Sequence, residues 1–80
     1  MDIQIISGEF GSKDALDLLN QMIRIKIKYH ENKITNKSSE EDIKFRESKV
    51  RSLQKELQDA RNIINEMGET VKLDGIIKIE

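Results

Sequence analysis

Apolar residues follow two different periods along this chain. Near the amino end, Ile3 and Ile5 alternate with polar neighbours, which is the period of a strand with one buried face. From residue 14 onward, apolar positions recur every three or four residues, as they do on a helix. We therefore predict an α+β protein, mainly helical, whose elements follow the order β-α-α-β.

The segment IRIKIKYH, residues 23–30, fits both periods. A strand would place its basic side chains on one wet face, but this interpretation covers only residues 23–29. On a helix, the polar positions of residues 14–31 cluster on one arc of roughly 120°, with Lys26 as the single misfit. We favour a helix over residues 13–33 with Ser12 as its N-cap, and we expect tertiary packing to support its β-branched isoleucines.

This first helix carries two apolar stripes. The inner stripe, predicted to pack on a second helix, consists of Leu16, Leu19, Ile23, Ile27 and His30. The outer stripe consists of Ala15, Leu18, Met22, Ile25 and Tyr29. Two short strands cannot cover a helix about 30 Å long. Because a contiguous apolar surface of that size usually marks an interface, we expect the outer stripe to form a homodimer contact.

The second helix, over residues 40–67, has the clearest pattern in the chain. A coiled-coil-like seam steps by three and four through Val50, Leu53, Leu57, Ala60, Ile64 and Met67. Ser38 and Glu41 resemble a capping box at its start, and Gly68 ends it. A polar connection over residues 34–39 is short enough to join two antiparallel helices. The sequence therefore predicts a helical hairpin.

The terminal segments predict two short strands that pair antiparallel. The first covers residues 2–6 and is followed by a turn at Gly8 and Gly11. The second covers residues 70–79, although Asp74-Gly75 is also a strong hairpin signal. A single strand, bulged at Gly75, places its apolar residues on one face that matches Ile3 and Ile5, so we prefer it.

Composition makes self-association the expected source of extra stability. Residues 1–80 form a single predicted domain near the lower size limit for an independent core. The chain has no cysteine and one histidine, which excludes a disulfide framework and cysteine-ligated zinc. We therefore expect a homo-oligomer, most simply a dimer.

Nothing in the sequence predicts an enzyme. His30 is the only imidazole and has no nucleophile or second base beside it, and Gly8 and Gly11 form no phosphate-binding motif. We expect no catalytic residue, no metal and no cofactor. No apolar run is long enough to cross a membrane, and the amino terminus lacks signal-peptide features, so we expect a cytoplasmic protein. The composition, rich in Ile, Lys and Asn, suggests a bacterial or phage source.

Two functions fit these expectations. The first is a homodimeric protein-interaction module, an adaptor or regulator, that binds a protein partner through a helical face or a strand edge. The second is an RNA- or DNA-binding helical hairpin, although a net charge of −1 argues against it. Its predicted contacts form a basic strip around Tyr29 and His30, made of Arg24, Lys26, Lys28, Lys33 and Lys37.

Overall fold

The computed structural model describes residues 1–80 as two helices flanked by two strands. Their order is β1 (Asp2–Gly11), α1 (Ser12–Asn32), α2 (Glu40–Met67) and β2 (Thr70–Lys78). The predicted fold class is confirmed, and residues 23–30 are helical throughout. Hydrogen bonds join Arg46 to His30 near the loop and Arg61 to Asn20 near the other end, so α1 and α2 lie antiparallel.

β1 is longer than predicted, because residues 7–11, where we expected a turn, are part of the strand. Alternate residues Ile6, Gly8 and Phe10 are half-buried on the side facing the helices. Gly8 has a φ of 137°, a backbone conformation open mainly to glycine. The turn prediction was wrong because this segment pairs with β2 and is held extended. Its glycines would also have allowed a turn.

β2 is one continuous strand, which excludes the alternative hairpin at Asp74-Gly75. The two strands pair antiparallel with an irregularity between Gln4 and Ile6, so the extra residue belongs to β1. A Cβ atom added to Gly75 would lie 3.2 Å from Cγ2 of Ile6 and 3.6 Å from Cγ2 of Ile5. Both isoleucines therefore lie on the Gly75 side of the ribbon, which leaves little room for a larger residue.

Ser12 connects the two ends of the helical hairpin instead of capping α1. The N-cap of α1 is Gly11, without a side-chain cap. The Ser12 backbone N–H donates to the carbonyl oxygen of Glu69 at 2.9 Å, and its hydroxyl donates to the carbonyl oxygen of Gly68. The predicted cap was wrong because this serine binds the turn that follows α2.

The cap of α2 lies one residue later than predicted. The hydroxyl of Ser39, not Ser38, accepts a hydrogen bond from the Asp42 backbone N–H at 3.1 Å. Ser38 instead accepts from the Thr35 N–H at 2.9 Å and so orders the connecting loop. At the other end, Gly68 follows the last residue of α2 with a φ of 97°.

The core is small and lies where the ribbon meets the open end of the hairpin. Ala15, Ile64 and Val71 form its centre, and four partly buried residues pack against them: Phe10, Leu16, Leu19 and Leu73. Leu53 and Leu57 are the other buried residues. Near the end of α2, Ile64 packs with Val71 of the ribbon, whereas Ile63 and Met67 remain more than half exposed.

The molecule is elongated for its size. The radius of gyration is 15.3 Å, and the principal extents are 46 × 32 × 14 Å. A compact chain of this length would have a radius of gyration of about 12 Å. The accessible surface is 6534 Å², whereas a compact monomer of this mass would expose about 5,000 Å². The chain therefore exposes more surface than a compact monomer of its mass, and eleven large apolar side chains are among the exposed residues.

Candidate interaction surface

The outer stripe of α1 is buried at its start and exposed toward the loop end of the helix. Ala15 is fully buried, so its assignment to a dimer interface is corrected: it lies in the core, where its small side chain allows Val71 to approach. Leu18 and Met22 are half-buried. Ile25 is 70% exposed and Tyr29 is 55% exposed. We name Leu18, Met22, Ile25 and Tyr29 the α1 stripe.

The ribbon formed by β1 and β2 has one polar face. Cross-strand partners on this face include Glu9 with Lys72 and Asp2 with Lys78. Gln4 lies there too, because its side-chain amide donates to the carboxylate of Asp74. Opposite charges facing one another across a strand pair are favourable and remain solvated. Ile76, paired with Gln4, is the one large apolar side chain on this face, whose other side chains are suited to water.

The other face of the ribbon is apolar along its whole length, but the helices cover only its proximal end. Phe10 and Val71 are cross-strand partners that pack on the core, followed by Leu73. Farther out, Ile3 pairs with Ile77 on the same face. We name the uncovered part the distal ribbon face, with exposed fractions of 81% for Met1, 40% for Ile3, 51% for Ile5, 45% for Ile77 and 53% for Ile79.

Cations and aromatic rings gather near the loop end of the hairpin. The Lys33 ammonium lies 5.5 Å from the centroid of the Tyr29 ring, and the Arg46 guanidinium lies 5.8 Å from it. Arg46 also lies 5.8 Å from the centroid of the Phe45 ring, and the Lys49 ammonium lies 5.4 Å from it. Both rings are more than half exposed. These cation–π contacts place basic side chains from both arms of the hairpin beside two accessible aromatic rings.

His30 lies within this group and binds Arg46. The Arg46 Nη1 atom lies 2.9 Å from Nδ1 of His30. Because a guanidinium can only donate, Nδ1 is the acceptor and the imidazole is neutral, with its proton on Nε2. Desolvation lowers the pKa of His30 below its usual value, and the charges of Arg46, Lys49 and Lys26 lower it further. His30 is therefore a neutral bridge between the two helices.

The predicted basic strip is divided between two sides of α1. At about 100° per residue, Lys33 returns to the side of Lys26, whereas Arg24 and Lys28 lie almost opposite. Lys37 belongs to the connecting loop. A shallow groove of about 320 Å³ on the Lys26 side is lined by Lys26, His30, Lys49, Ser52, Leu53 and Glu56.

Sequence reasoning missed the cations that α2 brings to this group. We name Lys26, Lys33, Arg46 and Lys49 the cationic cluster. Arg46 interrupts the apolar seam of α2, and this irregularity was the available signal that the seam has a polar partner on α1. Lys49 follows three residues later, so both project toward neighbouring positions.

The described surfaces contain no group of three or more His, Cys, Asp or Glu side chains that could hold a metal ion. Neither helix is both long and apolar enough to span a membrane. Comparison with protein-family models, with curated proteins and with solved structures finds no match for this chain. The functional proposal therefore rests on the surfaces described above.

Proposed function

We propose that this protein is a non-enzymatic, homodimeric interaction module, an adaptor or regulator that also binds a protein partner. The observation that carries the proposal is the excess of exposed surface, 6534 Å² against about 5,000 Å² for a compact monomer. The difference of about 1,500 Å² exceeds the roughly 800 Å² that each partner buries in a standard interface. Dimerisation would bring the exposed area per chain back to an ordinary value.

The chemistry of the exposed surface supports the same proposal. Only five of 80 residues are buried, and eleven large apolar side chains are exposed. A chain of this size with so small a core has little stability to spare, and oligomerisation is one of the usual remedies. The α1 stripe supplies a continuous helical face, which is a common mode of protein recognition.

The helical face is a better contact surface than the strand edges. Both strands of a two-stranded ribbon are edges, and their polar face includes Asp2, Glu9, Lys72 and Lys78. Charged side chains on edge strands disfavour pairing with another strand. The α1 stripe contains no charged side chain, and its Ile25 is 70% exposed and therefore accessible to a partner.

Sedimentation equilibrium of matched variants tests the proposal. Ile25→Lys places a charge in the α1 stripe, and we expect the dimer dissociation constant to rise at least about tenfold, since burial of an isoleucine is worth about 1.5–3 kcal/mol. Gln21→Lys is the control, because Gln21 is exposed outside the stripe and a lysine there can pair with Asp17. A native chain that sediments as a folded monomer at micromolar concentration would overturn the proposal.

Nucleic-acid binding is a second candidate, favoured by the cationic cluster. The one ion pair within 4.0 Å in the protein joins Arg51 to Glu47, so the four cations of the cluster have no carboxylate at that distance. Exposed Tyr29 and Phe45 lie between these cations and offer faces on which unpaired bases could stack. The net charge of −1 weighs against this candidate.

Filter binding with a single-stranded oligonucleotide separates the two candidates. A nucleic-acid function predicts saturable binding that weakens steeply with salt and is lost when Lys26, Lys33 and Lys49 are replaced by Glu. Replacing Arg24 and Lys28 by Glu is the control, because these residues lie on the opposite side of α1. The protein-interaction function predicts no saturable binding and equal behaviour of both sets of variants.

A further inference from the structure

We propose that the distal ribbon face of one copy packs on the α1 stripe of a second copy, and that the contact is reciprocal. This inference rests on the proposed homodimer and specifies which surfaces meet in it. The ribbon is apolar on one face and polar on the other, so it needs a partner on one side only. Within the monomer, that side is covered as far as Leu73 and Phe10 and is open beyond them.

The ribbon of the same chain does not cover its own stripe. Its proximal end is fixed to the start of α1 through Ser12, whose backbone N–H and hydroxyl bind the turn after α2. Ile25 remains 70% exposed and Ile77 remains 45% exposed, so neither covers the other within one copy. Each copy therefore presents two separate apolar surfaces without partners.

The two surfaces match in length. Leu18 to Tyr29 spans about 16 Å along α1 at a rise of about 1.5 Å per residue. Met1 to Ile6 spans about 16 Å along the ribbon at about 3.3 Å per residue. One ribbon face can thus cover one stripe along its whole length.

Their charges are complementary as well. Residues 24–33, the second half of α1 with its C-cap, carry four basic side chains, Arg24, Lys26, Lys28 and Lys33, against the single carboxylate of Glu31. Residues 1–11 and 69–80, which include the ribbon, carry five carboxylates, Asp2, Glu9, Glu69, Asp74 and Glu80, against Lys72 and Lys78. The ribbon segments therefore have an acidic balance and the loop half of α1 a basic one, and this attraction favours the pairing over stacking of two ribbons or two stripes.

A two-fold axis satisfies both surfaces at once. When the ribbon of one copy lies on the stripe of the other, symmetry places the second ribbon on the first stripe. Each chain then contributes both its ribbon face and its stripe, so two contacts, each about 16 Å long, are buried in one interface. Contact of one ribbon with one stripe alone would leave half of the apolar surface in water.

Cross-linking across the proposed contact is the direct test. The chain has no cysteine, so single substitutions give unambiguous products. An equimolar mixture of Ile77→Cys and Ile25→Cys chains, treated with a short bismaleimide, should give a mixed dimer as its main cross-linked product, identified by peptide mapping. Ile76→Cys replaces Ile77→Cys in the control, because Ile76 is similarly exposed but pairs with Gln4 on the polar face.

The mixture has one outcome that supports the proposal and two that overturn it. Products that join Ile77→Cys chains only to each other would indicate stacked ribbons instead. A mixed product that forms equally well with Ile76→Cys would show that proximity is not specific to the distal ribbon face.

Dimer dissociation constants distinguish this inference from the homodimer itself. We expect Ile77→Lys to weaken the dimer at least tenfold and Ile76→Lys to leave it within twofold of the native value, with unchanged helical circular dichroism for both. If the native chain is a dimer and the two variants behave alike, the ribbon contact is wrong while the homodimer stands. If the native chain is a folded monomer, both fail.

Discussion

His30 shows what single residues contribute and how far sequence could anticipate them. Its place on the inner stripe was predicted from helical periodicity, and the side chain is indeed only partly exposed. Its partner was not predicted: it binds Arg46 of α2 at 2.9 Å, a pairing that apolar periodicity alone does not give. Such pairing depends on the conformation of the connecting loop, which periodicity does not encode.

The neutral state of His30 makes stability depend on pH. The pKa is lowered in the folded protein, so the unfolded chain binds more protons at mildly acidic pH. Stability from this group is therefore complete above the unfolded pKa of 6.5 and decreases as the pH falls through that value toward the lower folded pKa. We expect the urea concentration at the unfolding midpoint of the native chain to decrease as the pH is lowered from neutral. The lowest pH used should stay just above the range in which carboxylates titrate.

His30→Asn is the matched variant for this prediction. The side-chain oxygen of an asparagine can accept a hydrogen bond from Arg46 but does not titrate. Its urea midpoint should change less than that of the native chain over the same pH range. An equal decrease in both proteins would show that other groups cause the pH dependence.

Ile64 and Ile63 provide a second test at the scale of residues. Ile64 is 3% exposed and packs in the core with Ala15 and Val71, whereas the adjacent Ile63 is 58% exposed. We expect Ile64→Ala to lower the free energy of unfolding by about 2–5 kcal/mol, since it removes buried methyl groups and leaves a cavity. Ile63→Ala should change it by about 0.5 kcal/mol or less in urea unfolding. Equal losses would contradict the placement of the core.

At the scale of elements, periodicity predicted the helices better than the strands. The apolar spacing of α2 and the arc of polar residues on α1 were sufficient, because both extend over many turns. The strand signals cover few residues, and Gly8 and Gly11 were interpreted as a turn although they lie in β1. A glycine indicates backbone freedom, and only the pairing with β2 determines that this freedom supports an extended strand.

Gly68 and Gly11 test the junctions between helices and strands. Gly68 has a φ of 97°, so an alanine there is strained and should destabilise the protein by about 1–3 kcal/mol. Gly11 has a φ of −60°, and an added Cβ would lie 3.9 Å from the Glu69 carbonyl oxygen, an ordinary contact. Gly11→Ala should therefore change the stability by about 0.5 kcal/mol or less, because the lower entropy of the unfolded chain offsets the cost of alanine at the N-cap of α1. Thermal or urea unfolding of both variants measures the difference, and destabilisation of similar size at both positions would contradict these backbone conformations.

At the scale of the whole molecule, sequence predicted that the outer stripe exceeds what two strands can cover, and the structure leaves Ile25 and Tyr29 exposed. It did not predict that Ala15 is buried, because that depends on how the ribbon crosses the start of α1. It also did not predict the cationic cluster, which joins residues of both helices. The sequence pattern could predict a surface that belongs to one helix. It could not predict a surface formed by residues of two elements, because that depends on how the elements pack.

The proposed homodimer implies that one copy is an incomplete folding unit. The ribbon is a two-stranded sheet, which is marginal in water unless its apolar face is packed. Only the proximal part of that face meets the core at Ala15 and Ile64. We therefore expect the distal part to gain order when a second copy binds, so that folding and association are linked.

Sedimentation equilibrium of the native chain over a wide range of concentrations tests the homodimer most directly. The proposed function predicts a species of twice the 9.3 kDa chain mass at micromolar concentration, which dissociates on dilution as helical circular dichroism decreases. A single species of 9.3 kDa that keeps its full helical signal throughout would contradict it.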